Sequence, residues 1–223
     1  MIENIKAVAF DIDGTMYPNW RLNIRIVFYV LKHIKFFLKY RKIRSVLHRT
    51  APVGNFYDYQ ARLFALELHV TDEEARQQIN TIVYSGLTPF LKKVKPYAYI
   101  KETIEALKAR GLKVAVLSDF PPSQKADMWG TRDLFDLICG SEEFGALKPS
   151  KYTFCCFAQK LGVAEKEILY VGNNVFADIR GAKAAGMKTA YIMPWWRRLL
   201  GRPLKLADIS FKNYRQLKEI VLD

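Results

Sequence analysis

The stretch Ala7-Val8-Ala9-Phe10-Asp11-Ile12-Asp13-Gly14-Thr15 constrains the fold more than any other, because an apolar run ends abruptly in two carboxylates, a glycine and a hydroxyl. A short apolar run closed by a turn signal predicts a strand buried in a parallel sheet. Its carboxyl end then carries Asp11 and Asp13, and in open α/β sheets ligands bind just outside the carboxyl ends of strands. Carboxylates two residues apart on a strand point to opposite faces, but Gly14 lets the chain turn so that both look into one site. Like charges a few ångströms apart resist double ionisation, so the pair needs a shared proton or a cation, and Mg2+ answers that need. The same five residues also suit a plain polar turn. The rest of the chain has to decide.

After the turn at Tyr17-Pro18-Asn19, a long helical pattern begins near Arg21. At 100° per residue Arg21, Arg25, Lys32, Lys35, Lys39 and Lys42 form one stripe, opposite Val27, Val30, Leu31, Ile34, Phe37 and Leu38. This predicts one amphipathic helix about 30 Å long. The lysines interrupt any run long enough to cross a bilayer. Helical periodicity resumes over Phe56 to Val70, and Thr71-Asp72-Glu73-Glu74 has capping-box spacing that opens a further helix through about Tyr84. Residues 17–94 thus read as a helical module inserted into something else.

That something is an alternation. Ile100 to Arg110 predicts a helix stopped by Gly111, Lys113 to Ser118 a buried strand, and Leu134 to Cys139 a short apolar run. A helix follows Lys148-Pro149-Ser150, then come a strand at Ile168 to Val171, a small-residue helix over Asp178 to Ala185 and a strand at Thr189 to Ile192. Alternation of this kind predicts an α/β fold, a doubly wound parallel sheet with helices on both faces. The expected organisation is a core of 1–16 and 95–223 with 17–94 as its helical insert.

With 223 residues, half of them hydrophobic, the chain can bury a full core. The first residues lack the basic and apolar regions of a signal peptide. Cys139, Cys155 and Cys156 show no paired spacing, which suits a reducing compartment, so a cytoplasmic location is expected. Scattered His33, His48 and His69 give no sign of a histidine metal site.

Polar residues end the strands in series: Asp11 and Asp13, then Ser118-Asp119, then Lys148 before a helix, then Gly172-Asn173-Asn174 with Asp178 a turn later. Singly these are caps and turns; together they fall at the mouth of one sheet. In this order they resemble the haloacid dehalogenase-like (HAD) hydrolase superfamily over almost the whole chain. Asp11-Ile12-Asp13-Gly14-Thr15 matches its first motif, Val116-Leu117-Ser118 the second, Lys148-Pro149 the third, and Gly172-Asn173 with Asp178 the fourth. The resemblance implies a Rossmann-like HAD core, with 17–94 as the family's cap between motifs one and two.

It also implies hydrolysis of a phosphate monoester through an aspartyl-phosphate. Asp11 would be the nucleophile. Asp13 would be the acid that protonates the leaving oxygen and the base that activates water. Ser118 and Lys148 would hold the phosphoryl oxygens, and Mg2+ would bind Asp11, the carbonyl of Asp13, Asn173 and Asp178. The family usually carries an acid where this chain has Asn173, which removes one negative ligand. Dehalogenating members work without metal but have no need of an acid at Asp13. Phosphomutase, metal-independent dehalogenase and a silent HAD-fold binding or regulatory protein are the alternatives. The expected partner is a phosphorylated small molecule; its identity and the oligomeric state are not legible.

The net charge of +13 is localised. No acid lies between Asp13 and Asp58, a span with nine bases, and Arg197, Arg198, Arg202 and Lys205 lie in a second acid-free stretch. Removing those thirteen from the 35 bases leaves 22, equal to the 22 acids. The plain reading of the helical stripe is a solvated outer face of the cap. Joined to Pro194-Trp195-Trp196-Arg197-Arg198, the bases of 21–49 and 194–205 also suit peripheral contact with an anionic membrane. No nucleic-acid recognition motif accompanies the charge, and no nucleic acid is expected.

Overall fold

The computed structural model describes residues 4–125 and 127–222. Strands β1 (Ala7–Phe10), β2 (Lys113–Ser118), β3 (Leu137–Gly140), β4 (Ile168–Gly172), β5 (Lys188–Ile192) and β6 (Ile209–Phe211) form one sheet in the order β3-β2-β1-β4-β5-β6. All five pairings are parallel. The helices are α1 (Asn19–Lys32), α2 (Ile34–Leu47), α3 (Phe56–Leu68), α4 (Asp72–Ile79), α5 (Thr88–Leu91), α6 (Ile100–Ala109), α7 (Lys151–Leu161), α8 (Gly181–Ala184), α9 (Trp195–Leu199) and α10 (Tyr214–Leu222). This is the α/β class that the alternation predicts. β6 and α10 were outside that reading, since three strand residues carry almost no periodicity.

Alternate side chains of the central strands build two cores. Val8, Phe10, Val114 and Val116 pack with Ile104 and Leu107 of α6 and with Tyr214, Leu217 and Val221 of α10. Ala7, Ala9, Ala115 and Leu117 face Phe154 and Phe157 of α7 and Ala182 of α8. Burying each large side chain is worth about 1.5–3 kcal/mol, and β1 and β4 are buried along their whole lengths, which anchors the centre of the sheet. From β1 the sheet grows through β2 and β3 on one side and through β4, β5 and β6 on the other. That reversal opens a crevice at the carboxyl end of β1, where Asp11 begins.

Helices α1 to α5 lie between β1 and α6 in sequence. Phe36, Tyr40, Ile43 and Leu47 of α2 pack with Phe56 and Phe64 of α3 and Ala75 and Ile79 of α4 in a further cluster. Asn55 caps α3 by accepting from the Asp58 amide at 3.2 Å. Thr71 and Glu74 form the expected capping box, with bonds of 3.2 and 2.8 Å.

Two expectations for this layer are corrected. The single long helix is two, because His33 (φ −112°, ψ 27°) leaves the helical region. The break lets α1 lie against α5 while α2 turns its aromatic face to α3. The basic stripe is only partly solvated in α1, where Lys32 is exposed but Arg21 and Arg25 are half-buried. Arg21 folds inward to donate to the carbonyls of Lys95 and Pro96 at 2.9 and 2.7 Å, while Trp20, Ile24, Val27, Phe28 and Leu31 are exposed. Among the described residues no helix is long and apolar enough to cross a membrane.

Candidate active site

Four chain segments converge at the carboxyl end of the sheet. Lys148 Nζ lies 2.7 Å from Asp11 Oδ1, 2.7 Å from Asp178 Oδ1 and 3.1 Å from the Tyr170 hydroxyl, and its side chain is buried. Asp178 Oδ2 accepts from the amides of Asn173 and Asn174 at 3.1 and 2.9 Å. Both its oxygens thus accept from protein groups, as do both oxygens of Asp11. Gly172 makes this approach possible, since an added Cβ would lie 2.3 Å from Asp178 Cβ.

Asp11 Oδ2 faces the Thr15 hydroxyl at 2.9 Å, and the same hydroxyl lies 3.2 Å from Asn173 Oδ1. Gly14 turns the chain with φ +91°, and a Cβ there would sit 2.2 Å from Asn173 Nδ2. Only glycine combines that angle with that contact.

Asp13 sits apart from the lysine pair. Tyr17 donates its hydroxyl to Asp13 Oδ1, while Lys125 Nζ and Ser118 Oγ lie 3.1 and 3.4 Å from Oδ2. Its side chain remains 26% exposed, against 7% for Asp11, so one carboxylate is enclosed and the other open to solvent. The Gly14 turn thus brings both acids to one region, as the spacing predicts.

Burial raises the Asp11 pKa to about 7; Lys148 opposes the rise, and Asp178 and Asp13 add to it. Burial works against charge on Lys148 as well, but Asp11 and Asp178 together hold it well above its ordinary range. With all three carboxylates (Asp11, Asp13, Asp178) ionised against two lysines (Lys125, Lys148), the cluster carries one negative charge.

A metal would find hard oxygens here but few of them. Among the described residues no group of three or more histidines, cysteines or acids is arranged to hold an ion. Asp11 Oδ2 and Asn173 Oδ1 do converge, both within hydrogen-bond distance of the Thr15 hydroxyl. Two converging hard oxygens and a net negative site fit Mg2+, with Asp178 holding Lys148 and the Asn173 loop in place.

Tyr170, Lys125 and the reach of His48 were not legible in the sequence, whereas Asp119 stood in the strand-end series. Tyr170 reads as a core strand residue, and Lys125 lies in a short 3-10 segment, Pro122–Lys125, with no period to mark it. Asp119 Oδ1 accepts from Ser141 Oγ and the Lys148 amide at 2.6 and 3.0 Å, which positions the lysine from behind. His48 Nδ1 lies 2.6 Å from the Lys148 carbonyl, so α2 reaches the site too. Replacing Lys125 by Met would leave Asp13 without its buried ammonium. Side-chain misplacement on this scale costs up to about 100-fold in rate. Lys125→Met is expected to lower turnover at this site by about 10–100-fold with a near-native unfolding midpoint; unchanged turnover would remove Lys125 from the site.

The profile of haloacid dehalogenase-like hydrolases matches residues 5–186. The chain belongs to the haloacid dehalogenase-like hydrolase family. It is 33% identical over 196 residues, 84% of each chain, to a glyceraldehyde 3-phosphate phosphatase of Methanopyrus kandleri. It is 26% identical over 208 residues to an (S)-2-haloacid dehalogenase of Pseudomonas sp. strain YL, covering 86% of this chain and 84% of that one. Its fold matches the crystal structure of a HAD phosphatase from Thermococcus onnurineus with a TM-score of 0.63, at 22% identity over 98% of both chains. Membership of this HAD family makes the chain a hydrolase, and its relatives include both phosphate-ester and carbon–halogen chemistry.

Proposed function

We propose that the chain is a Mg2+-dependent phosphatase that hydrolyses a phosphate monoester through an aspartyl-phosphate on Asp11. The observation that carries this reading is Asp13, a second carboxylate held by Tyr17, Ser118 and Lys125 at the solvent side of the site. Cleaving a phosphate ester needs an acid for the departing alkoxide; displacing a halide does not.

Asp11 would attack phosphorus through one carboxylate oxygen while the ester P–O bond breaks and Asp13 delivers its proton to the leaving oxygen. Asp13, now ionised, would take a proton from water, whose oxygen attacks phosphorus, releasing phosphate and restoring the Asp11 carboxylate. Ser118 and Lys148 would bind phosphoryl oxygens, and Lys148 would favour the ionised nucleophile. Mg2+ held by Asp11, Asn173 and the Asp13 carbonyl would supply electrostatic neutralisation of the phosphoryl oxygens. Asp178 would be a further ligand of the ion, and it also seats Lys148 through Oδ1 and the Asn173 loop through Oδ2.

In this reading residues 17–94 form the cap and 1–16 with 95–223 the core. The apolar cluster that α2, α3 and α4 build, joined from the core by Leu147 and Phe120, supports the division. The substrate is a phosphorylated small molecule, and three free cysteines support a reducing compartment such as the cytoplasm.

The test is phosphate release from an aryl phosphate and a panel of metabolite phosphates, in Mg2+ and in EDTA. Release that requires Mg2+ is expected. Asn173 in place of an acid favours one rival, the metal-independent dehalogenase. Halide release from 2-chloropropionate in EDTA, with no phosphate release from any ester, would replace the phosphatase reading by that one.

A further inference from the structure

Two helices present the wrong side to water. None of the α1 residues is buried, yet Trp20, Ile24, Val27, Phe28 and Leu31, spaced three and four apart, share its exposed face, with Phe28 82% exposed. The α1 arginines turn the other way: Arg21 to the Lys95 and Pro96 carbonyls, Arg25 to the Arg21 carbonyl. The pattern repeats independently in α9. Trp195, Trp196 and Leu199 are exposed and Leu200 follows, while Arg198 folds back to the Met193 carbonyl and Arg197 lies 4.7 Å from the Trp196 ring centre. The two helices meet at a cavity of about 450 Å³, where Trp20 and Arg21 stand with Trp195 and Arg198, and which reaches Gly14 and Asn173 of the site.

We propose that this α1–α9 face seats the chain on an anionic lipid bilayer, with α1 lying in the interface and the cavity opening toward the headgroups. A contiguous exposed apolar surface marks an interaction site. Tryptophan beside arginine is the side-chain combination that settles at the level of lipid headgroups. Exposed Lys32 ends α1 and exposed Lys35 opens α2, while exposed Arg202 and Lys205 follow α9, in stretches that contain no acid. Each base near an anionic leaflet adds about 1 kcal/mol of attraction. A second copy of this chain docked through the same face would oppose like charges, whereas anionic headgroups complement them. At 14 residues α1 is about 21 Å long, and no described helix can span a membrane, so the contact lies on the surface. The contact is independent of the reaction at Asp11.

The test is co-sedimentation of the full chain with phosphatidylcholine vesicles, with and without phosphatidylglycerol, at low and physiological salt. Wild type is expected to bind the phosphatidylglycerol vesicles at least about tenfold more tightly than phosphatidylcholine alone. The triple variant Phe28→Ser, Leu31→Ser, Leu199→Ser, none of whose sites lines the cavity, is expected to lose at least about tenfold of that binding. It should keep the wild-type melting curve and wild-type turnover of an aryl phosphate. Absence of vesicle binding at low salt overturns the proposal, as does a variant that binds like wild type. A wild-type dimer in sedimentation equilibrium that the variant dissolves would assign the face to a second copy. If wild type releases no phosphate from any ester, the phosphatase reading fails while vesicle binding and the melting curve still decide this one.

Discussion

Asp11→Asn is expected to abolish phosphate release, by at least about 10⁴-fold, and to leave the chain as stable as wild type or more so. The first half follows from the proposed chemistry, since an amide cannot form the acyl-phosphate and no other carboxylate stands at the same point. The second half follows from the environment of Asp11. Burial raises its pKa to about 7 from an ordinary value near 3.8. Between those values the folded chain holds one proton more than the unfolded chain, so stability falls as pH rises from about 4 to about 7. A shift of about three units corresponds to at most about 4 kcal/mol once pH exceeds 7. Asparagine keeps the shape and an acceptor for Lys148, which retains Asp178 at 2.7 Å, and it removes the charge that burial disfavours. Urea unfolding in EDTA at pH 5 to 8 should therefore show a downward slope in wild type that Asp11→Asn lacks, with a gain of order 1–4 kcal/mol at pH 8. A variant less stable than wild type at pH 8 would mean that Lys148 holds Asp11 ionised more strongly than burial opposes it. A variant that still turned over substrate would move the nucleophile elsewhere.

The β1 strand and its two acids were legible because the signal is local. Apolar residues buried on both faces, then charge, then a glycine with φ +91°, are all consequences of nine consecutive residues. The alternation gave the parallel sheet for the same reason: each element carries its own period. Lys148, Ser118, Asn173 and Asp178 became a group through their places at the ends of successive elements and through the family's order of motifs, since no spacing in the chain says that Lys148 reaches Asp11 across 137 residues. Tyr17, Lys125 and Tyr170 were missed because each sits in a turn, a 3-10 segment or a strand interior where a polar tip leaves no periodic trace. The helical layer misled in a different way. An amphipathic pattern says that two faces differ, but not which one meets water. In α1 the apolar face is the exposed one, and only packing could show it.

The strongest link between that layer and the sheet is also the one whose loss should cost most in stability, and Arg44→Ala is expected to destabilise the chain by about 3–5 kcal/mol. Arg44 lies on α2 and ion-pairs through Nη1 with Glu142, which follows β3. It also reaches Gln60 Oε1 and the Asp119 carbonyl, both at 3.1 Å, and lies 4.9 Å from the Phe120 ring centre. Both charges are almost completely buried. Burial raises the Glu142 pKa, and Arg44 is the main charge opposing that rise. Removing the arginine leaves a buried carboxylate with the Tyr84 hydroxyl, at 3.1 Å, as its one remaining side-chain donor among the described residues. Glu142 would then protonate or draw in water, and either change loosens α2 from the sheet. The damage comes from the orphaned partner more than from the lost attraction, so Arg44→Met with Glu142→Gln, which keeps an acceptor for Tyr84, should recover most of the loss. Urea unfolding of the two single variants and the double measures the coupling, and amide exchange should quicken over Ile34–Leu47 in Arg44→Ala. A cost below about 1 kcal/mol, or a double variant no better than the worse single one, would show that aromatic packing seats α2 and that the ion pair adds little. Because His48, which caps the same helix, contacts the Lys148 carbonyl, a loosened α2 would also release the lysine that faces Asp11, so kcat of Arg44→Ala should fall along with its stability.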